Sequence, residues 1–85
     1  MQFEWDEAKS AKVKAERGLS FREIAEIIAR SGVLGIEESA AYPGQFLFAV
    51  KAKSDIWTVV VEPRGEKFRL CTAYPNRKWR KKYAV

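Results

Sequence analysis

The spacing of the apolar residues changes at Gly32, and this change constrains the fold more than any other feature of the chain. Before Gly32, Phe21, Ile24 and Ile28 recur at helical spacing. After Gly32, apolar and polar residues alternate through several short segments, as they do in strands with one buried face. The chain therefore predicts helices first and strands afterwards, the pattern of an α+β domain.

Two helices are predicted before Gly32, each with its own start and stop signals. Asp6 can cap a helix over residues 7–17, and Gly18 follows it as the stop. The apolar residues of this helix are mostly alanines, so it offers little surface for burial. The second helix begins at a capping box, in which the side chains and amides of Ser20 and Glu23 bond reciprocally. It ends at Gly32.

The rest of the chain is predicted to form hairpins. Short turns at residues 42–45, 53–55 and 63–66 separate the strand candidates and imply antiparallel pairing. The strongest candidates are residues 46–52, 56–62 and 67–73, with weaker ones at 33–39 and 3–5. We expect one domain over residues 1–85, with two N-terminal helices packed on an antiparallel sheet. The basic C-terminal tail, residues 76–83, is predicted as a short helix or an extended arm.

The chain has 85 residues, no histidine and one cysteine, and these counts exclude several kinds of site. Catalytic triads and dyads that need histidine are excluded, as are histidine zinc sites and paired-histidine ribonuclease chemistry. Only carboxylates remain as metal ligands, and the adjacent Glu37 and Glu38 diverge on a strand, so we expect no metal and no cofactor. A single cysteine fits a reducing compartment. With no signal peptide or apolar span, we expect a cytoplasmic protein with no membrane partner.

The positive charge of the chain is concentrated at one end. The formal net charge is +5, yet residues 62–85 alone carry 8 basic and 2 acidic residues. Such asymmetry indicates a polyanion or an acidic protein as partner. Trp79 and Tyr83 are interleaved with these cations and can stack on unpaired bases. The alternative is a solvated tail that Trp79 anchors to the core.

Alternation along residues 67–73 predicts which side chains share a face. Phe68, Leu70 and Thr72 should face the helices, and Arg69 should lie on the opposite face with Ala73. Lys51 and Lys53 are predicted to share a face of their own strand and to extend the Arg69 side. The nucleic-acid-binding residues that we predict are Lys51, Lys53, Arg64, Lys67, Arg77, Lys78, Trp79, Arg80, Lys81 and Lys82.

Several short motifs resemble the BrnT toxins. They are the residues Phe-Glu-Trp-Asp at 3–6, Lys9, the Gly-Leu-Ser-Phe at 18–21, the strand at 69–73 and the basic run that ends at Tyr83. BrnT toxins are similar to the RelE/ParE superfamily of α+β toxins, many of which are ribonucleases that a cognate antitoxin neutralises. The stretch Thr-Ala-Tyr-Pro at 72–75 also resembles a motif of some RelE- and EndoU-like ribonuclease toxins. Arg17, Tyr74 and Arg80 depart from the family, which usually has histidine, arginine and an acidic residue at these positions.

The resemblance implies the toxin component of a type II toxin–antitoxin system, acting on free or ribosome-bound RNA as a metal-independent endoribonuclease. The reaction would be attack of a ribose 2′-OH on the adjacent phosphate. Arg69, with an arginine or lysine of the tail, would hold the developing negative charge, and Tyr74 or Tyr83 would protonate the leaving oxygen. Thr72 would orient the phosphate if a bulge turned it toward Arg69. No base is obvious from the sequence, so a lysine with a lowered pKa or a tyrosine would have to serve as one. Any oligomer would form through the antitoxin. The alternative is a non-catalytic module that binds nucleic acid or an acidic protein.

Overall fold

The computed structural model describes residues 1–83 and confirms an α+β fold, with two helices and a five-stranded sheet. The elements are β1 (Gln2–Glu4), α1 (Glu7–Arg17), α2 (Phe21–Ser31), β2 (Gly35–Glu38), β3 (Phe46–Ala52), β4 (Asp55–Arg64), β5 (Lys67–Pro75) and a single-turn helix, α3 (Trp79–Lys82). None of the helices among residues 1–83 is long and apolar enough to cross a membrane.

Local signals set the ends of α1 and α2, as the sequence predicts. The Asp6 carboxylate accepts a hydrogen bond from the Lys9 amide at 3.1 Å, and Gly18 ends α1 in the left-handed conformation, with φ at 96°. Both bonds of the capping box at the start of α2 are present. A further bond joins the helices, because the buried Ser10 hydroxyl accepts from the Phe21 amide at 2.9 Å.

The sheet is mixed, which corrects the expectation of a purely antiparallel one. The strand order is β1-β5-β4-β3-β2, and β2 to β5 form the predicted antiparallel meander. β1, however, pairs parallel to β5 at the far edge of the sheet. Parallel pairing is possible because α1 and α2 carry the chain across one face of the sheet, from the β1 edge to the β2 edge.

The main core lies between α2 and the sheet. Phe21, Ile24 and Ile28 of α2 expose 6% of their surface or less and pack against alternate residues of the strands. α1 contributes Val13 and Ser10 as its buried residues and packs beside β5. The strand residues of this core are Phe48, Val50, Ala52, Trp57, Val59, Val61, Leu70 and Ala73.

A β-bulge in β5 changes which of its side chains face the helices. Val60 pairs with Thr72 and Val61 with Leu70, so Cys71 is an extra residue in β5. Ala73 therefore faces the helices, whereas Thr72 lies on the opposite face with Arg69. The alternation predicted from the sequence placed these two residues the other way round, because an extra residue inverts every position that follows it.

The turn between β3 and β4 contradicts a second facing prediction. Ala52 pairs with Asp55, and Lys53 and Ser54 form a two-residue turn with φ at 51° and 62°. The Lys53 ammonium donates to the Gly18 carbonyl at 2.7 Å, on the helix side of the sheet. Lys53 therefore does not share a face with Lys51, because it lies in the turn and not in the strand.

The sheet face opposite α1 and α2 is called the open face here, although α3 covers part of it. Trp79 of α3 is buried with Ala49 and Ile56, and Leu47 and Tyr83 pack against this cluster. The rings of Trp79 and Tyr83 meet edge to face, with centroids 5.2 Å apart. The part of the basic tail up to Tyr83 thus forms the short helix of the two predicted alternatives.

Candidate functional site

A groove occupies the part of the open face that α3 leaves uncovered. Its floor is a row of side chains from β3, β4 and β5, formed by Leu47, Val60 and Thr72, which are paired across the sheet. Its volume is about 540 Å³. The other residues that line it are Lys9, Ser39, Ala40, Ala41, Tyr42, Gln45, Cys71 and Tyr74.

One wall of the groove is the loop between β2 and β3. The amide of Ser39 donates to the Gln45 carbonyl at 3.0 Å and closes the loop, while the Gln45 amide donates to the Tyr42 carbonyl at 3.2 Å. The Ser39 hydroxyl also accepts from the Tyr42 amide at 3.2 Å. These bonds fix the backbone of Tyr42, whose side chain is left 65% exposed.

The opposite side of the groove is formed by α1 and β5. Arg17, at the end of α1, donates to the Thr72 hydroxyl at 3.2 Å and to the Ala73 carbonyl at 3.0 Å. Its guanidinium carbon lies 5.9 Å from the centre of the Tyr74 ring, within the range of a cation–π contact. Lys9 adds a second cation on this side. Thr72 and Tyr74, both predicted as catalytic, are therefore brought together by Arg17.

Arg69 lies further along the open face and is already paired. Its guanidinium contacts the Glu4 carboxylate at 3.3 Å, and both side chains are about one-third exposed. Arg69 pairs across the sheet with Glu62, and Tyr74 with Thr58. The four-residue spacing along β4 separates the backbones of Arg69 and Tyr74 by about 13 Å.

A carboxylate and a thiol, those of Glu62 and Cys71, lie beside Arg69. Glu62 accepts hydrogen bonds from the Cys71 thiol at 3.2 Å and from the Gln45 amide at 3.4 Å. These bonds lower the pKa of Glu62, so its side chain is ionised at neutral pH. Burial and the neighbouring carboxylate raise the pKa of Cys71 to about 11, so the thiol is no nucleophile at neutral pH.

Tyr83, the fourth predicted catalytic residue, lies far from the other three. Its hydroxyl donates to the Glu37 carboxylate of β2 at 2.5 Å, and this bond raises the pKa of Tyr83. Gly35 gives it room, because a Cβ there would lie 2.9 Å from the Tyr83 hydroxyl oxygen. Three inter-strand spacings, about 14 Å, separate β2 from β5. Tyr83 and Tyr74 therefore do not reach the same phosphate.

The predicted nucleic-acid-binding residues fall into three groups. Arg80 forms a two-pronged contact with Asp55 at 2.9 and 3.0 Å, and Lys82 contacts Glu37 at 2.5 Å, so these two cations are neutralised within the chain. Trp79 is 9% exposed, since its ring packs on the sheet. The remaining residues are exposed, and they are Lys51, Lys53, Arg64, Lys67, Arg77, Lys78 and Lys81.

Several residues in or beside the groove were not predicted as site residues, among them Arg17, Tyr42 and Gln45. Arg17 stood out in the sequence only as a departure from the family, and Tyr42 only as the start of a turn. Gln45 stood out only as the last residue of the same turn. Arg17 meets Thr72 across 55 positions of the chain, so its role depends on how α1 packs beside β5.

No group of three or more His, Cys, Asp or Glu side chains among residues 1–83 is placed to hold a metal ion. A scan against protein-family models finds no match for this chain, and a search of curated proteins finds none either.

Proposed function

We propose that the chain is a BrnT-like, RelE-related toxin of a type II toxin–antitoxin system and a metal-independent endoribonuclease. The observation that carries the proposal is the bulge at Cys71, which brings Thr72 onto the same face as Arg69 and Tyr74. The cognate antitoxin and RNA, free or on the ribosome, are the proposed partners. The toxin role is proposed from the resemblance to BrnT toxins, and the reaction is proposed from the residues at the groove.

The proposed reaction uses the groove residues in named roles. The ribose 2′-oxygen attacks the phosphorus and loses its proton to solvent water, with no base assigned among residues 1–83. Arg17 stabilises the charge that develops on the phosphate oxygens, the role that the sequence predicts for Arg69. Tyr74 gives its proton to the 5′-oxygen as the bond from phosphorus to that oxygen breaks. The products are a 2′,3′-cyclic phosphate and a 5′-hydroxyl.

A specific observation favours a second candidate function, a non-catalytic module that binds nucleic acid or an acidic protein. Arg69 is paired with Glu4, and Tyr83 is bonded to Glu37 on another strand. Two of the four residues that the sequence predicts as catalytic are thus engaged in contacts that stabilise the fold. A basic groove with this arrangement can bind RNA without cleaving it.

The deciding experiment is cleavage of single-stranded RNA in EDTA, with analysis of the product ends. We expect cyclic phosphate and 5′-hydroxyl ends, and a rate about 10²–10³-fold lower for Arg17→Gln, the usual cost of removing one donor to a developing oxyanion. Arg30→Gln is the matched control, since Arg30 is exposed near the end of α2, outside the groove. Cleavage at the wild-type rate by Arg17→Gln would remove Arg17 from the mechanism. Binding without cleavage by the wild type would favour the module.

A further inference from the structure

We infer that the groove is a binding site for one unpaired nucleobase of the RNA, held against the exposed ring of Tyr42. This inference rests on the proposed function and names the part of the substrate that lies beside the cleaved phosphate. The volume of about 540 Å³ falls within the roughly 300–1,000 Å³ typical of small-ligand sites.

The groove has the surfaces that an unpaired base requires. Leu47 and Val60 make its floor apolar, and the rings of Tyr42 and Tyr74 line it with 65% and 37% of their surfaces exposed. Stacking on such rings is the usual way in which proteins hold single-stranded bases. Trp79 and Tyr83, the residues that the sequence suggested for stacking, pack on the sheet instead.

The polar residues of the groove suit a base joined to a phosphate. Lys9 and Arg17 lie on the side formed by α1 and can contact the phosphate, as cations do in RNA sites. Gln45 lines the groove and uses its amide nitrogen toward Glu62, while its amide oxygen makes no hydrogen bond among residues 1–83. An amide group of this kind can bond the edge of a base.

The loop that carries Tyr42 is held in place before any ligand binds. Its closing bond between Ser39 and Gln45 and the bond from the Tyr42 amide to the Ser39 hydroxyl are both internal to the loop. A stacking ring on a fixed loop loses little conformational freedom on binding, which favours affinity.

The test uses a short single-stranded RNA with 2′-O-methyl groups, which cannot be cleaved, and with 2-aminopurine at one position. Anisotropy of an end label measures binding, and quenching of the 2-aminopurine measures stacking. We expect Tyr42→Ala to weaken binding roughly 5- to 150-fold, the range for loss of one stacked base, and to abolish the quenching. Tyr42→Phe keeps the ring and should keep both signals. Leu34→Ala removes an exposed apolar side chain outside the groove and should change neither.

The possible failures are distinguishable. If wild-type protein binds this RNA and Tyr42→Ala binds it equally well with the same quenching, the base site is wrong and the RNA-binding proposal stands. If wild-type protein binds no RNA, both proposals are wrong. Thermal unfolding of Tyr42→Ala is measured alongside, and we expect no change because the side chain is exposed.

Discussion

Tyr74 and Tyr83 carry the same chemical group in opposite surroundings. The Tyr83 hydroxyl is bonded to Glu37, whereas the Tyr74 hydroxyl makes no hydrogen bond among residues 1–83 and its ring lines the groove. A hydroxyl that already donates to a carboxylate in its own chain is not free to protonate a leaving group. The contacts therefore separate a structural tyrosine from a candidate acid.

Replacing each tyrosine by phenylalanine should produce opposite effects. Tyr74→Phe is expected to lower RNA cleavage by about 10²–10⁴-fold, the usual contribution of a general acid, with stability unchanged. Tyr83→Phe should leave cleavage unchanged and lower the free energy of unfolding by about 1 kcal/mol, through loss of one hydrogen bond. Cleavage rates and urea denaturation measure the two effects. A loss of cleavage in Tyr83→Phe alone would reverse the assignment.

At the scale of single residues, the structure tests the predicted orientations of the side chains along β5. Thr72 and Tyr74 lie on one face of β5, two residues apart, and their catalytic roles stay predictions. The facing of Thr72 and Ala73 was wrong, because one extra residue at Cys71 inverts the alternation and nothing in the local composition marks it. The partnership of Arg17 with Thr72 was not predicted either, because it depends on packing.

Among the elements, α3 depends most on the rest of the molecule. Four residues are far too few to form a stable helix in isolation, so the docking of Trp79 and Tyr83 on the sheet must hold it. The contact of Arg80 with Asp55 adds a second attachment and lowers the pKa of Asp55. The closest approach is at Gly35, where the Tyr83 ring occupies the space that a side chain would need.

Gly35→Ala tests how tightly α3 is held. Alanine is no worse than glycine in a strand when space is available, so any loss of stability reports the clash with Tyr83. We expect the free energy of unfolding to fall by about 1–3 kcal/mol, the usual cost of overpacking. In a Tyr83→Ala background the same substitution should cost almost nothing, because the obstructing ring is gone.

Wild type, the two single variants and the double variant form a double-mutant cycle. Their free energies of unfolding give the coupling energy between Gly35 and Tyr83. An equal cost of Gly35→Ala in both backgrounds would mean that Tyr83 does not pack on β2. Loss of α3 docking should also expose Trp79 and shift its fluorescence to longer wavelength, which gives a second measurement.

The elements themselves were largely predictable, and the reason is that their signals are local. The caps of α1 and α2 and the turn at residues 53–54 each depend on neighbours within four positions. The pairing of β1 with β5 joins residues about 65 positions apart, and no local pattern specifies whether such a pairing is parallel. That pairing made the sheet mixed.

At the scale of the whole molecule, the formal net charge of +5 overstates how many positive charges of the tail are available to a binding partner. Arg80 and Lys82 are paired with Asp55 and Glu37, which lie in β4 and β2 and not in the tail. The tail cations that are exposed and form no ion pair among residues 1–83 are Arg77, Lys78 and Lys81. Within the tail, these three are the cations that can neutralise phosphates and release counterions from a nucleic acid.

The salt dependence of RNA binding should separate the two sets of tail cations. Each phosphate contact contributes a slope of roughly 0.7 to log affinity against log salt concentration for single strands. Replacing Arg77, Lys78 and Lys81 together by glutamine should therefore reduce the slope by about 2, with little change in stability, because these side chains are exposed. Replacing Arg80 and Lys82 should leave the slope nearly unchanged and lower the denaturation midpoint, since their partners are within the chain. An unchanged slope in the triple variant would mean that the tail does not contact RNA, and binding would then depend on cations outside the tail, such as Lys9 and Arg17.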